Sequence, residues 1–260
     1  MPTWKKAYFK GMETLPLFIL LLSCCLLGCR KEQPPTIPSV NNPQPPYPLV
    51  TKKTVTANGN VTVTSFRYDT VSWLLKSRQD LYGIYVYEYG NANYISYGNT
   101  SLSLNTEGLV ASDNGFYHPF QYWYNADSTL HEQYMYMSSR KTYTYYPDGN
   151  MASETATLPD HASSMQGPDV TTYFYPNQIV NTLGNRNYGM PYFGKSSPNL
   201  PDSAFYFMVY SGDTIFFTLS YIYQFDSLAR VISETGIRHQ LDSLQQPIDT
   251  TISYSVYEYY

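Results

Sequence analysis

The sequence predicts an all-β protein, an antiparallel sheet built from successive β-hairpins and open or partly closed. Two observations support this prediction. Aromatic residues make up 17% of the 260 residues, 29 of them tyrosines, and such side chains favour a pleated, half-buried surface. Aromatic and polar residues also alternate along many segments, as around Tyr143 and Tyr145, and short turn-forming clusters separate these segments.

A turn unit recurs along the chain, in which an aromatic residue or leucine precedes a turn residue and an apolar residue follows a few positions later. In one copy, Tyr146-Pro147-Asp148-Gly149 leads to Met151. Pro presets φ for the first turn position, Asp and Asn bond to their own backbone, and Gly supplies a positive φ. The copies begin at Tyr68, Leu104, Tyr124, Tyr146, Tyr175, Phe225 and Leu241.

These units resemble the hairpin units of the YD-repeat (RHS-like) proteins, which read Tyr-x-Tyr-Asp-x-x-Gly-x-Leu. The resemblance extends over roughly residues 60–260. It implies an array of β-hairpins and carries no implication about an activity.

Local turn chemistry also predicts individual hairpins. Asn58-Gly59 lies between two segments rich in Thr and Val, which predicts a type I′ turn whose twist matches paired strands. Residues 211–213 predict another turn of this kind. Residues 252–260 have the pattern of a final strand, and no amphipathic helix is expected after residue 50.

The N-terminus has the pattern of a bacterial lipoprotein signal. Three lysines precede the apolar run Leu15–Leu27, whose 13 residues are too few to span a bilayer and fit the core of a signal peptide. The run ends at Leu26-Leu27-Gly28-Cys29, which resembles the lipobox and implies lipidation of Cys29. Cys24 is a rival acceptor, and an ordinary secretory signal is the alternative.

The chain therefore divides into a signal peptide at 1–28, a lipidated cysteine with a Pro-rich tether at 29–50, and a single all-β hairpin-repeat domain at 51–260. Seven prolines between Arg30 and Pro48 predict that the tether is a semi-rigid spacer. The lipobox resemblance implies a bacterial outer-membrane lipoprotein that is either surface-exposed or faces the periplasm.

Charge and cysteine usage exclude several classes of function. Removal of residues 1–28 takes away three lysines and one glutamate and lowers the formal net charge from −4 to −6. No basic stripe remains, so nucleic-acid binding is not expected. Cys24, Cys25 and Cys29 are the only cysteines, so the mature body offers no thiolate nucleophile and no zinc–thiolate site, and no metal or other cofactor is expected.

No catalytic residues are predicted. The four histidines lack metal-ligand spacing, and the sequence contains no Gly-x-Ser-x-Gly motif. A carboxylate-dependent glycan hydrolase is one alternative, because glycoside hydrolysis needs two facing carboxyl groups. The acids considered for that role are Asp148, Glu154, Asp202, Asp213 and Glu234.

Residues 184–201 interrupt the strand pattern with Gly, Pro and Asn, and irregular segments of this length are usually functional or disordered. Tyr, Phe and Arg are the residue types that form contact surfaces. The candidate ligand-binding residues are Tyr188, Tyr192, Phe193 and Arg186, followed by Tyr94 and Tyr97. The competing interpretation is a disordered connection between two groups of hairpins.

These features predict a membrane-anchored envelope lipoprotein without enzymatic activity, which binds a glycan or an envelope protein through aromatic surface residues. The alternative is a structural scaffold or spacer in an envelope assembly.

Asp followed by Ser or Thr recurs along the chain and resembles an O-glycosylation sequon of exported bacterial proteins. Turn formation explains the same pattern, because Asp and Ser both favour turns. The candidate acceptors are Thr70, Ser128, Ser203, Thr214, Ser227, Ser243 and Thr250.

Overall fold

The computed structural model describes residues 45, 47–90, 93–115, 119–135, 139–157, 167–210 and 213–260. The predicted lipidation site Cys29, and residues 211 and 212 of a predicted turn, lie outside the described residues. No helix in this part of the chain has the length and hydropathy that a bilayer crossing requires.

The described residues form eighteen β-strands and two short 3-10 helices, Asn185–Tyr188 and Pro191–Phe193. The strands are β1 (Val50–Ala57), β2 (Asn60–Tyr68), β3 (Leu75–Asp80), β4 (Gly83–Tyr89), β5 (Tyr94–Tyr97), β6 (Thr100–Leu104), β7 (Val110–Asp113), β8 (Phe120–Tyr124), β9 (Leu130–Met135), β10 (Ser139–Tyr145), β11 (Met151–Thr157), β12 (Asp169–Phe174), β13 (Ile179–Val180), β14 (Asn199–Leu200), β15 (Ser203–Tyr210), β16 (Asp213–Phe225), β17 (Val231–Leu241) and β18 (Pro247–Tyr259).

Sixteen of these strands form a closed antiparallel barrel in which each strand pairs with its neighbours in the chain. β13 and β14 form a separate two-stranded sheet between β12 and β15. The last strand, β18, pairs with β17 and also with β1, where Val55 faces Ser255. The all-β prediction and the final strand are confirmed. The expectation of an open or partly closed sheet is corrected, because pairing of the first strand with the last leaves no unpaired edge.

The recurrent turn unit has a single geometry in five hairpins. In the unit after Tyr124, the Asn125 N–H donates to the Thr129 carbonyl at 2.9 Å, and the Ser128 N–H donates to the Asn125 carbonyl at 2.9 Å. Matching bonds occur in the other four hairpins, and in all five the fourth turn residue has a positive φ. These residues are Gly108, Ser128, Gly149, Ala229 and Gln245. The predicted turn chemistry is therefore confirmed at these positions.

The turn geometry makes a prediction about stability. Ala229 is exposed and has φ = 57°, a region that glycine adopts with less strain than other residues. We expect Ala229→Gly to raise the free energy of unfolding by about 0.5–1 kcal/mol, measured by urea denaturation. Gly149, at φ = 85° in the equivalent position, provides the reverse control. Gly149→Ala should lower stability, and the same sign for both changes would contradict the strain argument.

The first hairpin has the geometry that its two-residue turn predicts. Asn58 and Gly59 have φ values of 49° and 77°, as the type I′ turn requires. The strands on either side are in continuous register, with Thr54 facing Val63. The predicted Asn-Gly hairpin is therefore confirmed.

The two faces of the barrel wall differ in composition, with tyrosines on the inside. In β4, Tyr87 is only 6% exposed, whereas Ile84 and Val86 on the opposite face are 65% and 52% exposed. Tyr221 and Tyr223 in β16 likewise face inward, opposite the exposed Ile222. The predicted alternation is thus correct. Sequence alone did not show that the tyrosine face encloses an interior.

Residues 175–202, which we call the plug, connect β12 to β15 and contain β13, both 3-10 helices and β14. Successive turns of an antiparallel barrel lie at alternate ends, and the plug contacts turns at one end only. Its hydrogen bonds reach the turns before β3, β9, β11 and β17. We call the opposite end the mouth; it carries the β1–β2, β3–β4 and β17–β18 turns. The interpretation of 184–201 as a disordered connection is wrong, since this segment is held by defined bonds.

Candidate functional site

The plug is attached around the rim of the barrel. The Leu75 N–H donates to the Gly189 carbonyl at 3.0 Å, and the Lys195 N–H donates to the Ser128 carbonyl at 3.0 Å. On the far side, the Val231 N–H donates to the Thr182 hydroxyl at 3.1 Å. β3, β9 and β17 lie far apart around the barrel, so these bonds fix the plug across its whole cross-section.

Two glycines allow the plug to approach the wall closely. A Cβ atom at Gly189 would lie 2.7 Å from the Leu75 backbone nitrogen, and one at Gly194 would lie 2.6 Å from the Ser128 carbonyl oxygen. Both glycines have positive φ values, of 65° and 83°. Any other residue would have to displace rim backbone rather than a flexible side chain, so these positions require glycine.

Above the plug lies a cavity of about 710 Å³ inside the barrel. Its floor is made by plug residues, and its walls are inward-facing residues of β1–β4 and β16–β18. The floor residues are Leu183, Tyr188, Met190, Leu200 and Pro201. The lining extends to Tyr82 in the β3–β4 turn, which is 81% exposed at the mouth. The cavity is therefore open towards the mouth.

One wall of the cavity combines a cation, an aromatic ring and an acid. The Lys53 ammonium lies 5.5 Å from the ring centroid of Tyr257, whose hydroxyl donates to Glu234 Oε2 at 3.4 Å. Lys53, Glu234 and Tyr257 come from β1, β17 and β18, which are neighbours because the barrel closes there.

The adjoining part of the same wall, formed by β3 and β4, repeats this combination with other residues. The Arg78 guanidinium lies 4.7 Å from the ring centroid of Tyr85, and Arg78 Nε is 3.4 Å from Asp80 Oδ2. Arg78 Nε is buried and makes no hydrogen bond of good geometry in the part of the chain that the structure describes. The cavity therefore offers ring faces beside a cation and an acid at two places along its wall.

The tyrosine hydroxyls of the cavity remain protonated around neutral pH. Burial raises the pKa of Tyr221, Tyr223 and Tyr257, and the nearby Glu234 carboxylate raises each further. The Tyr223 hydroxyl donates to the Pro201 carbonyl at 2.9 Å and ties the wall to the plug. These hydroxyls can thus act as hydrogen-bond donors and acceptors, not as anions.

The burial of Glu234 predicts how the stability of the protein depends on pH. Burial raises its pKa, while Lys53 and the hydrogen bond from Tyr257 act in the opposite direction. Because the folded protein holds this proton more tightly than the unfolded chain, Glu234 contributes stability below its ordinary pKa that is lost as pH rises through the raised pKa. We expect Glu234→Gln to raise the melting temperature around pH 7 and to change it little around pH 4.

The control for this pH prediction is Glu258→Gln on the outer wall. The Glu258 carboxylate pairs with Lys52 at 2.7 Å among exposed side chains. Exposed pairs contribute little, so its melting temperature should change little at either pH. A lower melting temperature of Glu234→Gln around pH 7 would show that attraction to Lys53 outweighs the cost of burial.

The structure separates the four residues predicted to bind a ligand. Tyr188 lies on the cavity floor, with its ring 5.1 Å from that of Phe66. Tyr192 is only 5% exposed and packs against Phe193 at 5.2 Å. Arg186 stacks on Tyr47, on the N-terminal segment that leads into the barrel. Tyr188 alone of the four lines the cavity, and the other three attach the plug to the rest of the protein.

The two secondary candidates, Tyr94 and Tyr97, lie in β5. Tyr97 stacks on Tyr87 at 4.9 Å, and its hydroxyl donates to Asp113 Oδ2 at 3.4 Å. Tyr94 is 47% exposed. Neither lines the cavity above the plug.

The five acids considered for hydrolysis are dispersed. Glu234 lines the cavity, whereas Glu154 pairs with a lysine of the neighbouring strand at 2.5 Å. Asp202 accepts two bonds from Asn177, and Asp148 accepts bonds within its own turn. Asp213 lies at the exposed start of β16. Among the described residues, no group of three or more His, Cys, Asp or Glu side chains could hold a metal ion.

Six of the seven predicted O-glycosylation acceptors lie in or beside turns, whereas Thr250 lies within β18. Several of the preceding aspartates close their turns: Asp226 Oδ1, for example, accepts from the Leu228 and Arg230 N–H groups at 2.9 Å each. The half-buried acceptors are Ser128 and Ser203, and the exposed ones are Thr70, Thr214, Ser227, Ser243 and Thr250. Turn bonds account for Asp69, Asp127, Asp226 and Asp242. Modification of the hydroxyls stays a prediction.

Two solved structures have a similar fold. A porin-like protein from Bacteroides uniformis has a TM-score of 0.59 and 13% identity, and the match covers 81% of this chain and 98% of that one. A porin-like protein from Bacteroides vulgatus has a TM-score of 0.53 and 15% identity, covering 82% and 99%. At these identities the likeness establishes the fold alone. A scan against protein-family models and a search of curated proteins find no match.

Sequence reasoning missed most of the cavity. Arg78 and Asp80 alternate with Ser77 and Gln79, so β3 has no apolar side that would identify its inner face. Lys53 lies in a strand of similar polarity. The available signal was indirect: charged residues recur at alternate positions in strands whose neighbours carry aromatic residues on one face.

Proposed function

We propose that this protein is a lipid-anchored envelope protein without enzymatic activity, which binds a glycan in the cavity between the plug and the mouth. The observation that carries the proposal is the cavity itself, about 710 Å³ with tyrosine rings and charged side chains along its walls. Binding pockets for ligands of drug-like size range from about 300 to 1,000 Å³.

The chemistry of the walls suits a sugar. Sugar rings have apolar faces and polar edges, and tyrosine offers an apolar ring with a hydroxyl at its tip. Tyr85 and Tyr257 each lie beside a cation and an acid, which can bond to hydroxyl groups at the edge of a stacked ring. The cavity therefore supplies stacking and hydrogen bonding side by side.

The outer wall favours attachment to the membrane by a lipid at Cys29 rather than by the strands. Membrane-spanning barrels carry an outward apolar band around their whole circumference. Here Arg67, Gln79 and Glu88 are exposed on the outer faces of β2, β3 and β4. Arg140 in β10 is also exposed, on the other side of the barrel. These four residues lie near the ends of their strands. The lengths of the strands argue more strongly, because β5 to β8 have only four or five residues each, fewer than the roughly 9–11 that a tilted membrane-spanning strand needs.

The first test is a thermal-shift screen of the purified protein against neutral and acidic oligosaccharides and cell-wall fragments. A ligand at a hundred times its Kd should stabilise the protein by about 2.7 kcal/mol and raise its melting temperature. We expect Tyr221→Ala, which removes a ring from the cavity wall, to weaken the binding of a hit about tenfold.

The matched control is Tyr254→Ala, because Tyr254 is 42% exposed on the outer wall. Equal losses of affinity for Tyr221→Ala and Tyr254→Ala would place the ligand outside the cavity and contradict the proposal. A screen without any stabilising glycan would favour the scaffold alternative, in which the partner is another envelope protein.

A further inference from the structure

We infer that the cavity binds the end of a glycan chain and not an internal stretch of it. This inference rests on the proposed function and adds the part of the polymer that is recognised. It follows from how the plug closes one end of the barrel.

The wall offers a polymer no side entrance. All sixteen strands are hydrogen-bonded to both neighbours, including β1 to β18, in the ladder that the structure describes. A chain bound in an open groove can continue past the site in both directions. A chain inside a closed wall can continue only through an end of the barrel.

The plug closes one of those ends. Leu183, Met190 and Leu200 form part of the cavity floor, and the backbone around them is bonded to the rim. Gly189 and Gly194 lie in direct contact with rim backbone, so the plug has little room to shift towards the wall. A polymer that enters by the mouth therefore has to stop at the floor.

The depth of the cavity sets how much of a chain is buried. A volume of 710 Å³ matches a drug-sized ligand, or about two to four sugar rings. Tyr82 at the mouth is 81% exposed and also lines the cavity. The next ring of an emerging chain would therefore pass beside Tyr82, while later rings would lie in solvent.

The first experiment compares ligands with and without ends. The probes are linear maltohexaose and cyclic cyclomaltohexaose, together with linear cello-, laminari- and chito-hexasaccharides in free form and blocked at both ends by a group too large to enter the cavity. Binding is measured by isothermal titration calorimetry. We expect any linear hexasaccharide that binds to lose at least tenfold in affinity when it is cyclised or blocked.

The outcomes separate the inference from the proposed function. A cyclic or end-blocked hexasaccharide that binds within about twofold of its linear form would overturn recognition of a chain end while leaving glycan binding intact. Failure of every linear and modified probe to bind would count against the glycan function itself, and the inference would fall with it. Selective binding of the free linear forms supports both the glycan function and recognition of a chain end.

A pair of variants tests the depth of insertion. Tyr82→Ala should weaken binding of a linear hexasaccharide several-fold and leave binding of the corresponding disaccharide unchanged. Leu81→Ala, at the neighbouring exposed position, is the control for general damage to the mouth and should affect neither. Equal loss for the two ligand lengths in Tyr82→Ala would overturn the placement of the chain.

Discussion

Val256→Pro should lower the free energy of unfolding by roughly 3 kcal/mol or more, comparable to the cost of an internal proline in a helix. Val256 faces Thr54 in β1 and Ser233 in β17, so its backbone, including the N–H donor, lies in a strand that is paired on both sides. Proline removes that donor at the point where the barrel closes. Urea denaturation monitored by tryptophan fluorescence would measure the loss.

Thr250→Pro is the matched control within the same strand. Thr250 faces His239 in β17, but the β1 pairing of β18 begins only at Ser253. The Thr250 N–H donates to the Asp249 carboxylate at 2.8 Å in an exposed position. We therefore expect a much smaller loss for Thr250→Pro. Equal losses would mean that pairing of β18 with β1 contributes little to stability.

Asn150→Leu should destabilise the protein by about 2–3 kcal/mol and loosen the plug, because it leaves the Asn199 N–H without its partner and removes the bond to the exposed Asp148. Asn150 is fully buried. Its amide donates to Asp148 Oδ2 at 2.9 Å, and its Oδ1 accepts from the Asn199 N–H at 2.9 Å. Hydrogen exchange should accelerate in residues 179–200 more than in β16–β18.

Asn177→Ala is the control for Asn150→Leu. Asn177 also lies in the plug and donates to Asp202, but Asn177 is exposed and Asp202 is only half-buried. Water can replace these bonds, so the loss should stay below about 1.5 kcal/mol. An unchanged exchange rate of the plug in Asn150→Leu would show that the remaining rim bonds are sufficient to hold it.

The sequence predicts the features of this fold that depend on near neighbours in the chain. The turn at Asn125–Thr129 closes through bonds between residues three and four positions apart. Such contacts depend on local residue types, so the sequence directly predicts the strands, the turns and the alternation of side chains between the two faces of a strand. The same holds for Asn58-Gly59.

Closure and the plug depend on contacts between distant parts of the chain. Asn187 Nδ2 donates to the Pro48 carbonyl across 139 positions, and Val55 faces Ser255 across the closure. Alternation makes a strand able to pair but does not choose its partner. The composition of 184–201 singled out an unusual segment, yet its position inside the barrel follows from these distant bonds.

The bond between Asn187 and Pro48 has a mechanical consequence. It holds the start of the described chain against the plug, at the end opposite the mouth. The chain therefore enters β1 at the plug end, and a pull along the chain before Tyr47 would act on the plug and on β1 before it reached the mouth.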